Sequence, residues 1–139
     1  MNKRSNCVVA LGLLAGLVLA GCGGGASSTA PEDTVPPAPV VGVEAVGIDS
    51  ASPVVILVWE AGSEADLAGY MVYRIVGGGS PELVGAANGD RWMDRDVVTD
   101  VDLVYQVAAV DVSENESARS SSNTVVVRVD PGSGKDEVD

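Results

Sequence analysis

Asp66-Leu67-Ala68-Gly69-Tyr70-Met71-Val72-Tyr73-Arg74 is the stretch on which the fold turns. Successive side chains of a pleated strand leave on opposite faces, so Tyr70 and Val72 share one face while Met71, Tyr73 and Ile75 take the other. The run continues to Val76 and stops at Gly77-Gly78-Gly79-Ser80-Pro81, a turn that cannot continue a ladder. Upstream, Val54 to Glu60 is a continuous β-branched run closing on Trp59 and reads as a buried strand. Downstream, Leu103 to Val110 is the strongest alternating segment, with Tyr105, Val107 and Ala109 on one face.

Shorter strands fit between and around these: Val41 to Val46, Glu82 to Val84, Arg91 to Asp94, and a last one at Thr124 to Val129. No stretch keeps a 3.6-residue apolar period long enough for a helix, and Glu64 to Ala68 has room for one turn. The segment 40–130 is therefore expected to be all-β. Seven strands over this length imply an immunoglobulin-like antiparallel β-sandwich. Its core would set Val55, Leu57 and Trp59 of one sheet against Tyr70, Val72, Tyr105, Val107 and Ala109 of the other.

These residues also carry a family. Trp59 followed by Asp66 to Arg74 resembles the B–C region of a fibronectin type III domain. Trp92 and Asp94 resemble its E strand, and Leu103 to Asp111 followed by Asn115-Glu116-Ser117 is similar to its F strand and F–G turn. The resemblance spans Pro36 to about Asp130. Two positions depart from the family pattern. Leu103 stands six residues before the F-strand Ala109, where the resemblance implies the corner tyrosine, so that tyrosine's hydrogen bond is expected to be absent or replaced. Glu114 stands where the F–G turn would favour glycine, which disfavours a left-handed turn.

Ahead of the sandwich, Lys3 and Arg4 precede a 14-residue apolar run from Cys7 to Ala20. A stable span needs about 20 apolar residues, so this run reads as a cleaved leader. Leu19-Ala20-Gly21-Cys22 resembles the lipobox of bacterial lipoproteins, which implies diacylglyceryl modification of the Cys22 thiol and cleavage on its N-terminal side. Residues 1–21 are then signal peptide. Gly23 following the cysteine, by the same resemblance, implies the outer membrane of a Gram-negative envelope. Residues 22–39 form a Gly/Ser/Pro tether that reaches roughly 55 Å at full stretch and averages about 25 Å as coil. Residues 131–139 read as a disordered acidic tail.

Charge restricts the partners. Eight Lys and Arg face twenty Asp and Glu in the whole chain, a formal charge of −12. Loss of Lys3 and Arg4 with the leader leaves six basic residues and a charge of −14. Such a chain is repelled by phosphate backbones and anionic head groups, which argues against nucleic acid. Cys7 departs with the leader and Cys22 carries lipid, so no disulfide forms within the mature chain.

The sequence offers little for catalysis. It contains no histidine, which removes the commonest general base and most zinc sites. Gly77-Gly78-Gly79 opens no helix and has no following Lys, so it is a hairpin turn and not a phosphate cradle. The chain is read as no enzyme, with no cofactor beyond the lipid. Asp94, Asp96, Asp100 and Asp102 are the candidate calcium ligands, since calcium takes six to eight oxygens and close carboxylates supply several. Against that, Asp94 and Asp96 would fix loop turns while Asp100 and Asp102 remain solvated charge.

A second candidate is the outer face of the C–F–G sheet: Met71, Tyr73 and Ile75, joined by Ala108, Val110 and Val126. An exposed apolar patch of this kind marks an interface. The expected role is a non-catalytic, lipid-anchored envelope protein that presents one fibronectin type III-like module for protein–protein interaction, adhesion or scaffolding, with an envelope or extracellular protein as partner. Alternatives are an accessory carbohydrate-binding module, which needs exposed aromatics, and a calcium-stiffened structural spacer.

Overall fold

The computed structural model describes residues 31–132. The leader, Cys22, the first part of the tether and the tail from position 133 lie outside them. The elements run β1 (Val41–Ile48), β2 (Val54–Glu60), β3 (Leu67–Val76), β4 (Glu82–Ala87), β5 (Arg91–Asp94), β6 (Leu103–Asp111) and β7 (Ser120–Ser121). They form two antiparallel sheets, β1-β2-β5 and β4-β3-β6-β7, stacked as a seven-stranded sandwich.

Alternation decides what each sheet buries. Val55, Leu57 and Trp59 of β2 face Tyr70 and Val72 of β3 and Tyr105, Val107 and Ala109 of β6 in one core, completed by Val43, Ala45, Leu103 and Val127. Trp59 and Tyr70 meet with ring centroids 5.2 Å apart at an interplanar angle of 59°, a tilted arrangement that suits the ring quadrupoles. The Tyr70 hydroxyl accepts a hydrogen bond from Gly62 N at 2.7 Å.

Three expectations change. The stretch 124–129 does not form one regular strand. It divides its bonds between two neighbours: Leu103 and Val125 pair antiparallel on the β6 side, while Ser50 and Val129 pair parallel beyond β1. Asn123 works with it, its side-chain oxygen accepting from Ala45 N at 2.8 Å and its Nδ2 donating to Ala45 O at 2.9 Å. A side-chain amide thus stands in for a partner strand at the β1 edge.

Second, the spacer ends before Pro39. Pro37 is buried, Ala38 N donates to Glu64 Oε1 at 2.9 Å, and Asn115 Nδ2 donates to Asp33 O at 3.0 Å. Proline rings carry apolar surface and fix φ, so this end of the tether packs onto the sandwich.

Third, the F–G turn is left-handed without glycine. Glu114 sits at φ 66°, and its N–H donates to Asp111 O at 3.1 Å. The buried Asp111 carboxylate holds the turn, accepting from Ser113 N at 2.8 Å, Asn115 N at 2.9 Å and Asn115 Nδ2 at 2.8 Å. Burial alone would raise the Asp111 pKa, but these donors outweigh it and hold the carboxyl below its usual range. Glu114→Gly is accordingly expected to raise stability by about 0.5–1 kcal/mol through relief at positive φ, read as a higher midpoint in urea at unchanged slope.

Candidate functional site

The strand register places Met71 beside Ala108, Tyr73 beside Gln106 and Ile75 beside Val104 on the outer face of the four-stranded sheet. Met71, Tyr73, Ile75 and Ala108 therefore lie on the side of the sheet away from the core. They do not present an open apolar patch. Tyr73 is 9% exposed and Ala108 is buried, while Met71, Ile75, Val110 and Val126 are half-buried. Val126 alternates with Val125 and Val127, both of which pack in the core.

Tyr73 is covered by charge. The Arg119 guanidinium carbon lies 3.6 Å from its ring centroid, within reach of a cation–π interaction. Its hydroxyl donates to the Glu116 carboxylate, 2.9 and 3.0 Å from the two oxygens, and Glu116 pairs with Arg119 at 3.3 Å. Burial, reinforced by Glu116, raises the Tyr73 pKa above its usual value. Two charged residues of the F–G side thus seal the aromatic centre of the face.

The four candidate calcium ligands are not brought together. Asp94 is buried and accepts from Arg74 NH1 and from the Tyr105 hydroxyl, each at 2.8 Å, on Oδ2. Its Oδ1 accepts from Asp96 N at 3.0 Å, and Arg74 NH1 also donates to Asp96 O at 2.7 Å. This network ties β5 of one sheet to β3 and β6 of the other. Burial alone would lower the Arg74 pKa, but the pair with Asp94 outweighs it and holds the guanidinium above its usual value. Burial together with Asp94 pushes the Tyr105 hydroxyl well upward. Asp100 and Asp102 are exposed, Asp100 standing at φ 59° with Arg128 Nε 3.9 Å away. Among the described residues the acidic groups that do converge are Asp33, Asp66 and Asp111, with carboxylate oxygens within 4.8 Å of one another.

The corner tie expected to be absent or replaced at Leu103 has a counterpart two residues later. Tyr105 reaches back to Asp94 across the β5–β6 connection, bonding a carboxylate where a backbone group would serve in an immunoglobulin-like corner. Leu103 is buried as plain core.

A face that sequence reading passed over is open. On the outside of β1-β2-β5, Ile48 stands beside Val54, Val46 beside Ile56 and Ile56 beside Met93. The next row holds Glu44, Val58 and Arg91. Val46 is 53%, Ile48 41% and Met93 38% exposed, and Val54, Ile56 and Val58 are half-buried. The β2 run reads as a buried strand because every residue from Val54 to Trp59 is apolar. Its pattern in the fold alternates between fully and partly buried, as an antiparallel sheet with one uncovered face requires. The signal was present: apolar residues at the outward positions of β2 together with Val46 and Ile48.

Comparison with known proteins identifies the architecture. No family model and no curated protein matches the sequence. Solved structures do match. The FN3tt mut structure aligns at TM-score 0.56 and 14% identity over 68% of this chain and 100% of that one. The fibronectin type III domain from human KIAA0970 aligns at TM-score 0.52 and 17% identity over 67% of this chain and 76% of that one. The structure of titin kinase and its flanking domains aligns at TM-score 0.57 and 18% identity over 66% of this chain, which spans 17% of that structure. The fold is a fibronectin type III-like β-sandwich.

Proposed function

We propose that this chain is a non-catalytic, lipid-anchored protein of a bacterial envelope that carries one fibronectin type III-like module for contact with another protein, as scaffold or adhesin. The observation that carries the contact role is the uncovered apolar face of β1-β2-β5 on an otherwise acidic chain, since exposed apolar patches mark interaction surfaces. The anchor rests on Leu19-Ala20-Gly21-Cys22 behind a short apolar run. Two or more acyl chains hold a protein stably on a membrane, whereas one binds marginally. The Gly23 neighbour favours the outer membrane.

A protein partner suits the surface better than a sugar. All five aromatic residues of the chain are buried or half-buried: Trp59, Tyr70, Tyr73, Trp92 and Tyr105. Trp92 turns inward over Gly85 and offers no flat platform. The non-catalytic reading is supported by the two buried carboxylates, Asp94 and Asp111, whose oxygens are occupied by donors of the fold itself.

The test has two arms. Labelled palmitate is expected to enter the protein in growing cells and to be lost in Cys22→Ser, with the variant released from the membrane fraction. A photo-crosslinking residue at Met93 is expected to give protein adducts in those cells that the same residue at Ser121 does not. An unlabelled wild type overturns the anchor; equal adducts at both positions overturn the contact face.

A further inference from the structure

We infer that the outer face of β1-β2-β5 pairs with the same face of a second copy of this chain, about a twofold axis running along β2. The inference deepens the contact-module reading above by naming the partner, and it rests on that reading for its biological setting only.

Across the face, the third row reads Glu44, Val58, Arg91 and the second reads Val46, Ile56, Met93. A twofold axis along the central strand carries the β5 edge of one copy over the β1 edge of the other and leaves positions along the strand unchanged. Glu44 then faces the second copy's Arg91, and Arg91 faces its Glu44. Val46 meets Met93, while Ile56 and Val58 meet their own counterparts on the axis. The two Glu44–Arg91 contacts and the apolar centre are satisfied by one operation, as a self-complementary isologous interface requires, while the same operation sets Glu60 against its own counterpart at the end of the face, a like-charge contact that lowers the affinity.

Glu44 and Arg91 are both exposed, and neither is ion-paired among the described residues. In a chain of strong negative charge, two copies approach most easily where the basic residues lie. Arg91, one of the six basic residues left after the leader, sits at the β5 side of this face. Aligned face-to-face packing of sheets, about 10 Å apart, is also the packing that the sandwich already uses inside.

Size sets the strength. Three strands spaced about 4.8 Å apart and about five residues long give a face of roughly 15 by 17 Å. That is well below the ~800 Å² per partner of a stable complex, so a dissociation constant on the order of 0.1 mM is expected in solution.

The experiment uses the mature chain, Cys22 to Asp139, purified with Cys22→Ser. Sedimentation equilibrium is expected to show mass rising toward the dimer as concentration increases to about 1 mM, an order of magnitude above the expected constant. Ile56→Lys, which places two like charges on the axis, should remain monomeric while melting cooperatively. Glu44→Arg and Arg91→Glu should each weaken association about tenfold or more, and the two together should restore it. A bis-maleimide of about 10 Å span, the spacing of stacked sheets, should link Ile56→Cys chains to one another and leave Ser121→Cys chains unlinked. Should Ile56→Lys fail to fold, the charge series decides.

A chain that stays monomeric at about 1 mM, or a double charge swap no better than the singles, overturns the pairing. The anchor and the pairing fail separately. Absent palmitate with an intact dimer removes only the anchor. Foreign adducts at Met93 with a monomeric chain remove only the self-pairing.

Discussion

Asp94→Ala is expected to destabilise the sandwich by about 3–5 kcal/mol, because it strands a buried cation. The Asp94 side chain is 4% exposed and that of Arg74 13%, and their charged atoms lie 2.8 Å apart. Removing the carboxylate leaves the guanidinium without its counter-charge, and Arg74 Nε already lacks a partner. The Tyr105 hydroxyl and Asp96 N lose their acceptor in the same step. For a domain of this size each kcal/mol shifts the melting point by about 4–8 °C, so the melting point should fall by about 12 °C or more. The diagnostic comparison is Arg74→Met/Asp94→Leu/Tyr105→Phe, which removes all three polar side chains of the network, leaves only the backbone of the exposed Asp96, and should recover most of the loss. Replacing a whole buried ionic network by apolar groups is often neutral, whereas breaking it is not. If the triple variant melts below Asp94→Ala, the network stabilises the fold directly and this account of it is wrong.

Gly85→Val is expected to cost about 2–3 kcal/mol by overpacking, with the whole effect directed at one ring. A Cβ at Gly85 would lie 2.5 Å from Trp92 Cζ2, 2.6 Å from Cε2 and 2.7 Å from Nε1. No left-handed backbone is involved, so the glycine is required for space. The indole of β5 lies flat against the bare backbone of β4 and closes the side of the sandwich where the two sheets' edges approach. Trp92→Leu removes the obstructing ring at its own cost. In a double-mutant cycle read by urea denaturation, Gly85→Val and Trp92→Leu should couple by at least about 1 kcal/mol. Additive effects would show that the valine is accommodated elsewhere.

Much of the architecture was legible because alternation at period two leaves few choices. The bounds of β2 and β5 coincide with their sequence reading, and β3 and β6 differ from it only at their ends. The last strand was less legible because hydrophobic pattern records burial and not which neighbour supplies the bonds. Val125 and Val127 are inward, as the pattern implies, yet the backbone around them serves both β6 and the region beyond β1. The candidate sites were read least well, for a related reason. Alternation puts Tyr73 on the outer face, but its cover comes from Glu116 and Arg119, more than forty residues away in the chain. Asp94 and Asp96 carry the same charge as Asp100 and Asp102, and only the inward pleat of β5 separates a buried ion-pair partner from solvated acid. The apolar outer face of β1-β2-β5 was hidden inside an unbroken apolar run, where composition cannot distinguish one covered face from two.

Asn123 gives the β1 edge a property that matters wherever many copies are crowded together. Strand addition needs a row of vacant donors and acceptors. At Ala45 both are already taken by a single carboxamide. A neighbour seeking to lengthen this sheet meets a dead end, and growth into open-ended ribbons is blocked at the side where β1 would otherwise seed it.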